Sequence, residues 1–327
     1  MPGVFNISLD FELHWGRFDK MTLDHVHSRT YFLNTRELFP PLIELFTRYQ
    51  IHVTWATVGM LYNKNAKEWQ AHQPALLPTY DRRVVSSYAW TEDHGLIEPE
   101  DPFHFAPQLI ALFENNPLFE TATHTYSHYY CQESGQTPEQ FRADLQMAIQ
   151  VASKRGHTLR SLVFPRNQFN ASYLNVCAEL GIETVRSNPP EWYWDANTPE
   201  TFLKKVFRTG DAYSSFLGNK VVPLDQIDLK QHPLQLPASR LYRAWTSKSA
   251  LMNQLKMRRI LKEMTVAART EGYYHLWWHP HNFGFHPKEC LQELEVILRH
   301  FQTLQQQYGF RSLTMLETKQ YLQERFR

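Results

Sequence analysis

The clearest chemical signal in this sequence lies in two short runs. One is His124-Thr125-Tyr126-Ser127-His128; the other is Asp10-Phe11-Glu12. Two imidazoles four residues apart face one way where the chain turns into a helix, and so can offer two nitrogens to one metal ion. Zinc would take each nitrogen at about 2.0–2.1 Å. A carboxylate is the natural third ligand, and alternation along an extended chain puts Asp10 and Glu12 on one side with Phe11 on the other. Two histidines and one carboxylate leave a position open for water, and the second carboxylate can take that water's proton. In a chain with sixteen histidines such a pair also arises without a ligand role. The placing of the other polar residues therefore decides.

Those residues have to be positioned by regular elements, and the sequence shows them. Val4 to Leu9 reads as a buried strand ending at Asp10, and Phe119 to Ala122 as another ending before His124. Between them, Leu38, Leu42, Leu45 and Phe46 recur at helical spacing in 35–49, and 52–58 reads as a strand. Thr137-Pro138-Glu139-Gln140 has an N-cap threonine, a proline at the first helical position and a glutamine to close a capping box. That helix is expected to run to about Arg155. Short strands follow at 162–164 and 183–185 around a helix at 171–180. Later come a helix at 250–271, a strand at 274–278, a helix from Pro287 to Tyr308, a strand at 311–314 and a last helix. Repeated strand–helix units imply parallel strands with right-handed crossovers. The expected fold is α/β, a single distorted (β/α) barrel of about seven strands over 1–327, with irregular insertions at about 63–106 and 187–246. No glycine-rich phosphate loop follows the first strand, which speaks against a dinucleotide-binding domain.

In such a barrel the site forms where the strands' C-terminal ends meet. The unusual polar residues sort to those ends: Asp10 and Glu12, His124 and His128, Arg166 with Asn167 and Gln168, Arg186, and His279, His281 and Asn282 after Trp277-Trp278. The net charge of +1 gives no electrostatic footprint for nucleic acid. Aromatic residues make up 14 %, with nine Trp and sixteen Tyr, a supply that suits stacking on sugar faces as well as core packing. Three cysteines without paired spacing favour a reducing compartment. There is no apolar run of about 18 residues to span a bilayer and no signal-peptide pattern, so the expected address is the cytoplasm.

With these motifs the sequence resembles the NodB-homology polysaccharide deacetylases, carbohydrate esterase family 4, and within it a branch associated with surface-polysaccharide synthesis. The resemblance runs from about Val4 to Leu316. It rests on Ser8-Leu9-Asp10-Phe11-Glu12, His124-Thr-x-x-His128, Phe164-Pro165-Arg166-Asn167-Gln168 and Leu276-Trp277-Trp278-His279-Pro280-His281-Asn282-Phe283. The resemblance implies a divalent metal, zinc first with cobalt or another ion open, held by Glu12, His124 and His128. It also implies Asp10 as base, His279 as acid and Arg166 as a catalytic partner that holds Asp10 ionised. The substrate would be an acetamido sugar or its carrier-linked form. Two departures stand out: the family's adjacent aspartates are here Asp10 and Glu12 around Phe11, and Pro165 precedes Arg166 rather than following it.

Trp277, His281, Asn282 and Arg186 are the expected substrate contacts, with His14 and Arg240 as further candidates. One of Trp277 and Trp278 is expected to face the cleft and the other to pack beneath a helix. The competing readings are an amide hydrolase for a non-sugar C–N bond and a catalytically silent carbohydrate-binding protein. Asp10 and Glu12 can also exchange base and ligand roles.

Overall fold

A computed structural model describes residues 2–97, 100–196, 198–199, 201–214 and 218–326. In chain order the elements are β1 (Val4–Phe11), α1 (Val26–Arg48), β2 (Val53–Thr57), α2 (Ala66–Ala71), α3 (Ser87–His94), α4 (Pro107–Ala111) and β3 (Phe119–Thr123). Next are α5 (Pro138–Ser153), β4 (Ser161–Val163), α6 (Ala171–Glu179), β5 (Thr184–Ser187), α7 (Phe202–Tyr213), β6 (Val222–Pro223), β7 (Leu234–Pro237) and β8 (Arg240–Leu241). The chain ends with α8 (Ala250–Arg269), β9 (Gly272–Trp278), α9 (Pro287–Tyr308), β10 (Arg311–Ser312) and α10 (Met315–Phe326).

The strand order β9-β1-β2-β3-β4-β5-β7 is parallel throughout. Closure comes from consecutive residues: Ala238 N–H donates to Ser187 O of β5, and Ser239 N–H donates to His275 O of β9, both at 2.9 Å. The chain thus steps from one end of the row to the other, and β8 continues along β9. The result is a nearly closed, distorted (β/α) barrel, as the strand–helix alternation predicts. β1 pairs with both β9 and β2 and is buried along its whole length, with Phe5, Ile7, Leu9 and Phe11 packed toward the helices and Asn6, Ser8 and Asp10 turned into the barrel.

The capping box at Thr137 and Gln140 opens α5 as expected. Both excursions carry helices beyond those expected from the sequence. α2 and α3 lie in 63–106, and α7 lies in 187–246; residues 98–99, 197, 200 and 215–217 of these excursions fall outside the described residues. α2 and α3 are short and give little hydrophobic period to read, whereas α7 has one at Phe202, Leu203 and Val206 inside a proline-rich stretch.

Candidate active site

Asp10 ends up in the cleft because β1 extends through Phe11 and Phe11 turns into the core, stacked among Phe39, Trp55 and Phe113. Glu12, the next residue but one, points the same way as Asp10, and both are buried. Gly16 makes room for it: a Cβ at this position would lie 1.9 Å from the Glu12 carboxyl.

His124 and His128 do not lie on a helix, as their spacing suggested. They occupy an irregular loop after β3 in which Thr125 (φ +65°) and His128 (φ +58°) are left-handed. Backbone bonds from Gly59 N–H to Thr125 O and from Met60 N–H to Tyr126 O, each 2.9 Å, tie the loop to β2's exit. Asp144 of α5 supports it from below. Its carboxylate accepts the N–H of Tyr126 (2.7 Å) and of Ser127 (3.0 Å), and the Ser127 hydroxyl. Burial pushes the Asp144 carboxyl up to about 6 against these donors. The left-handed turns do what a helix would have done, aiming both rings at Glu12.

His124 Nδ1 donates to the Val163 carbonyl at 2.7 Å, and His128 Nδ1 lies 3.2 Å from the Tyr130 hydroxyl. Each ring therefore presents Nε2 to Glu12 Oε2, at 3.2 Å and 3.0 Å. Oε2 is buried and has no well-aligned hydrogen bond among the described residues. Burial lowers His128's pKa and so favours its neutral ring. Burial alone would raise Glu12, yet the surrounding imidazoles, His279 and His128 foremost, hold it well below the usual carboxylate range. Two imidazole lone pairs and a carboxylate oxygen brought this close need a cation among them. Rings oriented by a second partner at Nδ1 are the habit of metal-ligating histidines. The residues fit a divalent ion, with Glu12, His124 and His128 as donors whose ligand atoms lie within 4.8 Å of one another.

Asp10 is held by Arg186, with Nη1 to Oδ1 at 2.6 Å and Nη2 to Oδ2 at 2.8 Å. Arg186 is fully buried; it also donates to Ser8 Oγ and Asn167 Oδ1, each at 3.0 Å, and its guanidinium lies 4.0 Å from the Trp277 ring centre. Burial would raise Asp10's pKa, but Arg186, joined by His124 and His279, holds the carboxyl lowered. On the other side His279 places Nε2 3.6 Å from Asp10 Oδ2 and 3.7 Å from Glu12 Oε1. Its Nδ1 donates to Asn282 Oδ1 at 3.1 Å, which fixes the ring. His281 stacks on His279 with centroids 5.1 Å apart; burial pushes its pKa down to about 3, so the ring is neutral. Its Nε2 lies 3.7 Å from Glu12 Oε1 and its buried Nδ1 has no partner among the described residues.

All these groups open into one cleft of about 1390 Å³, which is also lined by Asn167, Trp277 and Asn282. A family model for polysaccharide deacetylases matches residues 18–185, just over half of the chain. The chain belongs to the polysaccharide deacetylase family. The match does not reach Asp10, Glu12, Arg186 or His279, so for this deacetylase-family chain their part in the site comes from geometry. A search of curated proteins finds no match. Among solved structures, a provisionally named polysaccharide deacetylase from Mycobacterium smegmatis shares 11 % identity with a TM-score of 0.58, covering 99 % of this chain and 91 % of its own. Another so named, from Pseudomonas aeruginosa PAO1, shares 9 % with a TM-score of 0.56, covering 98 % and 91 %. A GH57-type branching enzyme from Pyrococcus horikoshii shares 11 % with a TM-score of 0.53, covering 97 % and 70 %. At such identities the likeness is one of fold, and the same barrel hosting a branching enzyme leaves function to the site.

Three sequence expectations need correcting in this member of the polysaccharide deacetylase family. Arg166 does not touch Asp10. It pairs with Asp19 and with Glu133 (2.8 Å), and lies 3.9 Å over the Tyr130 ring. Its left-handed backbone (φ +54°), forced by the Pro165 turn, swings it to the cleft rim. Arg186, expected among the substrate contacts, fills the place beside Asp10 instead, because it lies within β5 itself rather than in the turn after a strand. His14 and Arg240 do not line the cleft: His14 is buried against His104, and Arg240 against Glu263. Trp277 faces the cleft while Trp278 packs on Phe283 in the core, as alternation requires.

Proposed function

We propose that this protein removes the N-acetyl group from an acetamido sugar in a precursor of a surface polysaccharide. A divalent metal, zinc before cobalt, would be held by Glu12, His124 and His128. The observation that supports this best is a single cleft in which a fixed imidazole, His279, lies 3.6 Å from the base Asp10 and 3.7 Å from Glu12, while His124 and His128 lie 3.2 Å and 3.0 Å from Glu12.

When bound, the ion supplies Lewis acidity toward water and the acyl oxygen. Asp10, kept ionised by Arg186, takes the proton of the attacking water. His279, oriented by Asn282, gives a proton to the departing amine. Its Nε2 lies close enough to Asp10 for the same proton to be handed across the site. Trp277, pinned by Arg186, offers an apolar wall on which a sugar ring can rest. His281 stays neutral and backs His279. The reading has the protein work in the cytoplasm, which three free, buried cysteines, Cys131, Cys177 and Cys290, support. No helix of the described residues is long and apolar enough to cross a membrane.

The test is metal content by mass spectrometry together with acetate release from N-acetyl and O-acetyl sugars. About one equivalent in the wild type, lost in His124→Ala/His128→Ala, with acetate released from the acetamido sugar, is expected. Protein that folds but takes up neither zinc nor cobalt sinks the reading. Release from O-acetyl sugars alone replaces the amide by an ester.

A further inference from the structure

Helix α7 is built inside out. Its polar side chains point inward: Lys204, 5 % exposed, donates to the Asp195 carbonyl at 2.6 Å and the Thr198 carbonyl at 3.1 Å. At the other end Asp211 is buried against Arg259 (3.2 Å), Arg240 (3.8 Å) and Lys220 (3.9 Å). Two polar anchors a full helix apart forbid rotation about the helix axis, because turning either outward would leave buried charge unpaired. The apolar face is thereby held to solvent. Phe202 is 82 % exposed, Leu203 54 % and Val206 46 %, and all three fall on one side of the helix at 3.6 residues per turn. Trp192, 50 % exposed and packed edge-on against Phe207, extends the patch.

We propose that α7 lays this face on an anionic lipid bilayer, holding the cleft at the membrane surface. Two observations choose this occupant. The first is charge: the one acid of α7, Asp211, is buried, as is Lys204, and Lys205 stays exposed beside the apolar face, so the helix meets its partner with apolar bulk, an outward cation and no outward carboxylate of its own. Apolar bulk edged by positive charge suits the anionic headgroup region. The second is area. The four side chains offer on the order of 400 Å² together, about half of what each partner buries in a stable dimer. The same unit forms one wall of the cleft through Trp194, Lys205 and Arg208, so docking α7 holds the cleft beside the membrane surface. Given the deacetylase reading, on which this step rests, the substrate is then a sugar carried on a membrane lipid.

The full-length protein, mixed with vesicles of phosphatidylcholine and phosphatidylglycerol, is expected to sediment with them and to stay in solution with phosphatidylcholine alone. Phe202→Ser/Leu203→Ser/Val206→Ser should lower vesicle partitioning about tenfold or more while zinc uptake stays as in the wild type. Lys205→Glu should weaken it by a smaller factor that disappears at high salt. Should the triple variant unfold, loss of partitioning in Lys205→Glu with salt-sensitive wild-type binding supports the proposal. Wild-type protein that ignores both vesicles, or variants that bind as it does, overturns it. So does a wild type that is dimeric without lipid and a triple variant that is monomeric. A protein that binds vesicles but releases no acetate from any acetamido sugar leaves this proposal standing and fails only the deacetylase reading.

Discussion

Arg186 grips both oxygens of Asp10 while its guanidinium face lies on Trp277, so one side chain holds the base and the cleft wall together. Both partners of the ion pair are buried, which makes the geometry strict: breaking it would leave a buried charge without its partner.

Replacing Arg186 by Lys keeps a cation but loses the paired contact. Asp10's pKa is lowered in the native protein chiefly by Arg186 working against burial, so in Arg186→Lys it should rise. The acidic limb of the rate profile for acetate release should move to higher pH, and kcat should fall by about 10²-fold. An unmoved limb would remove Asp10 as the base. Arg186→Met should cost about 3–5 kcal/mol of stability as well, read by urea denaturation, because it strands a buried carboxylate.

Arg166→Gln should leave that limb where it is. Arg166 meets Asp19, Glu133 and Tyr130 at the rim, and it reaches the site through its charge on His128 and through Tyr130 rather than by contact with Asp10. A change of within about tenfold, mostly in KM, is expected. A shifted limb would restore Arg166 to the place beside Asp10.

Gly16→Ala should cost the metal and leave the fold. The added methyl would overlap the Glu12 carboxyl, the far end of a flexible side chain, so Glu12 swings away and the barrel stays. Metal content should fall by about tenfold or more with an unchanged far-UV spectrum. Full occupancy in this variant would show that Glu12 is dispensable for binding.

Stability should decline on the acid side. His14, pushed down to about 3 by burial and by neighbouring His104, and His275, held well below its ordinary range by burial and by Arg186, are both neutral in the folded protein. Unfolded, each takes up a proton near pH 6.5. Their contribution is therefore complete above about 6.5 and is lost as pH falls from there toward about 3, on the order of a few kcal/mol in total. Urea midpoints across that range should slope downward, and more gently in His14→Gln. A flat profile would mean that these rings are protonated when folded.

Much of the barrel was legible because its strands are buried on both faces and its helices carry long apolar stripes. β1, α5, α8, β9 and α9 all follow from local pattern, and the Thr137 capping box marks its helix to the residue. The site residues were legible as a set because a parallel barrel sends its strand ends to one place. The excursions were not, since α3 and α7 owe their existence to what they pack against.

The sequence by itself determined which chemistry is available: Asp10 and Glu12 on one side of a strand, two histidines after another, and His279 after the aromatic strand end. Tertiary structure alone decided the pairings. Arg186 rather than Arg166 reaches Asp10, a left-handed loop rather than a helix aims His124 and His128, and α7 turns its apolar face outward. The reason is that local period specifies which face a residue takes. Which charge meets which depends on strand order and on backbone turns set by residues far apart in the chain.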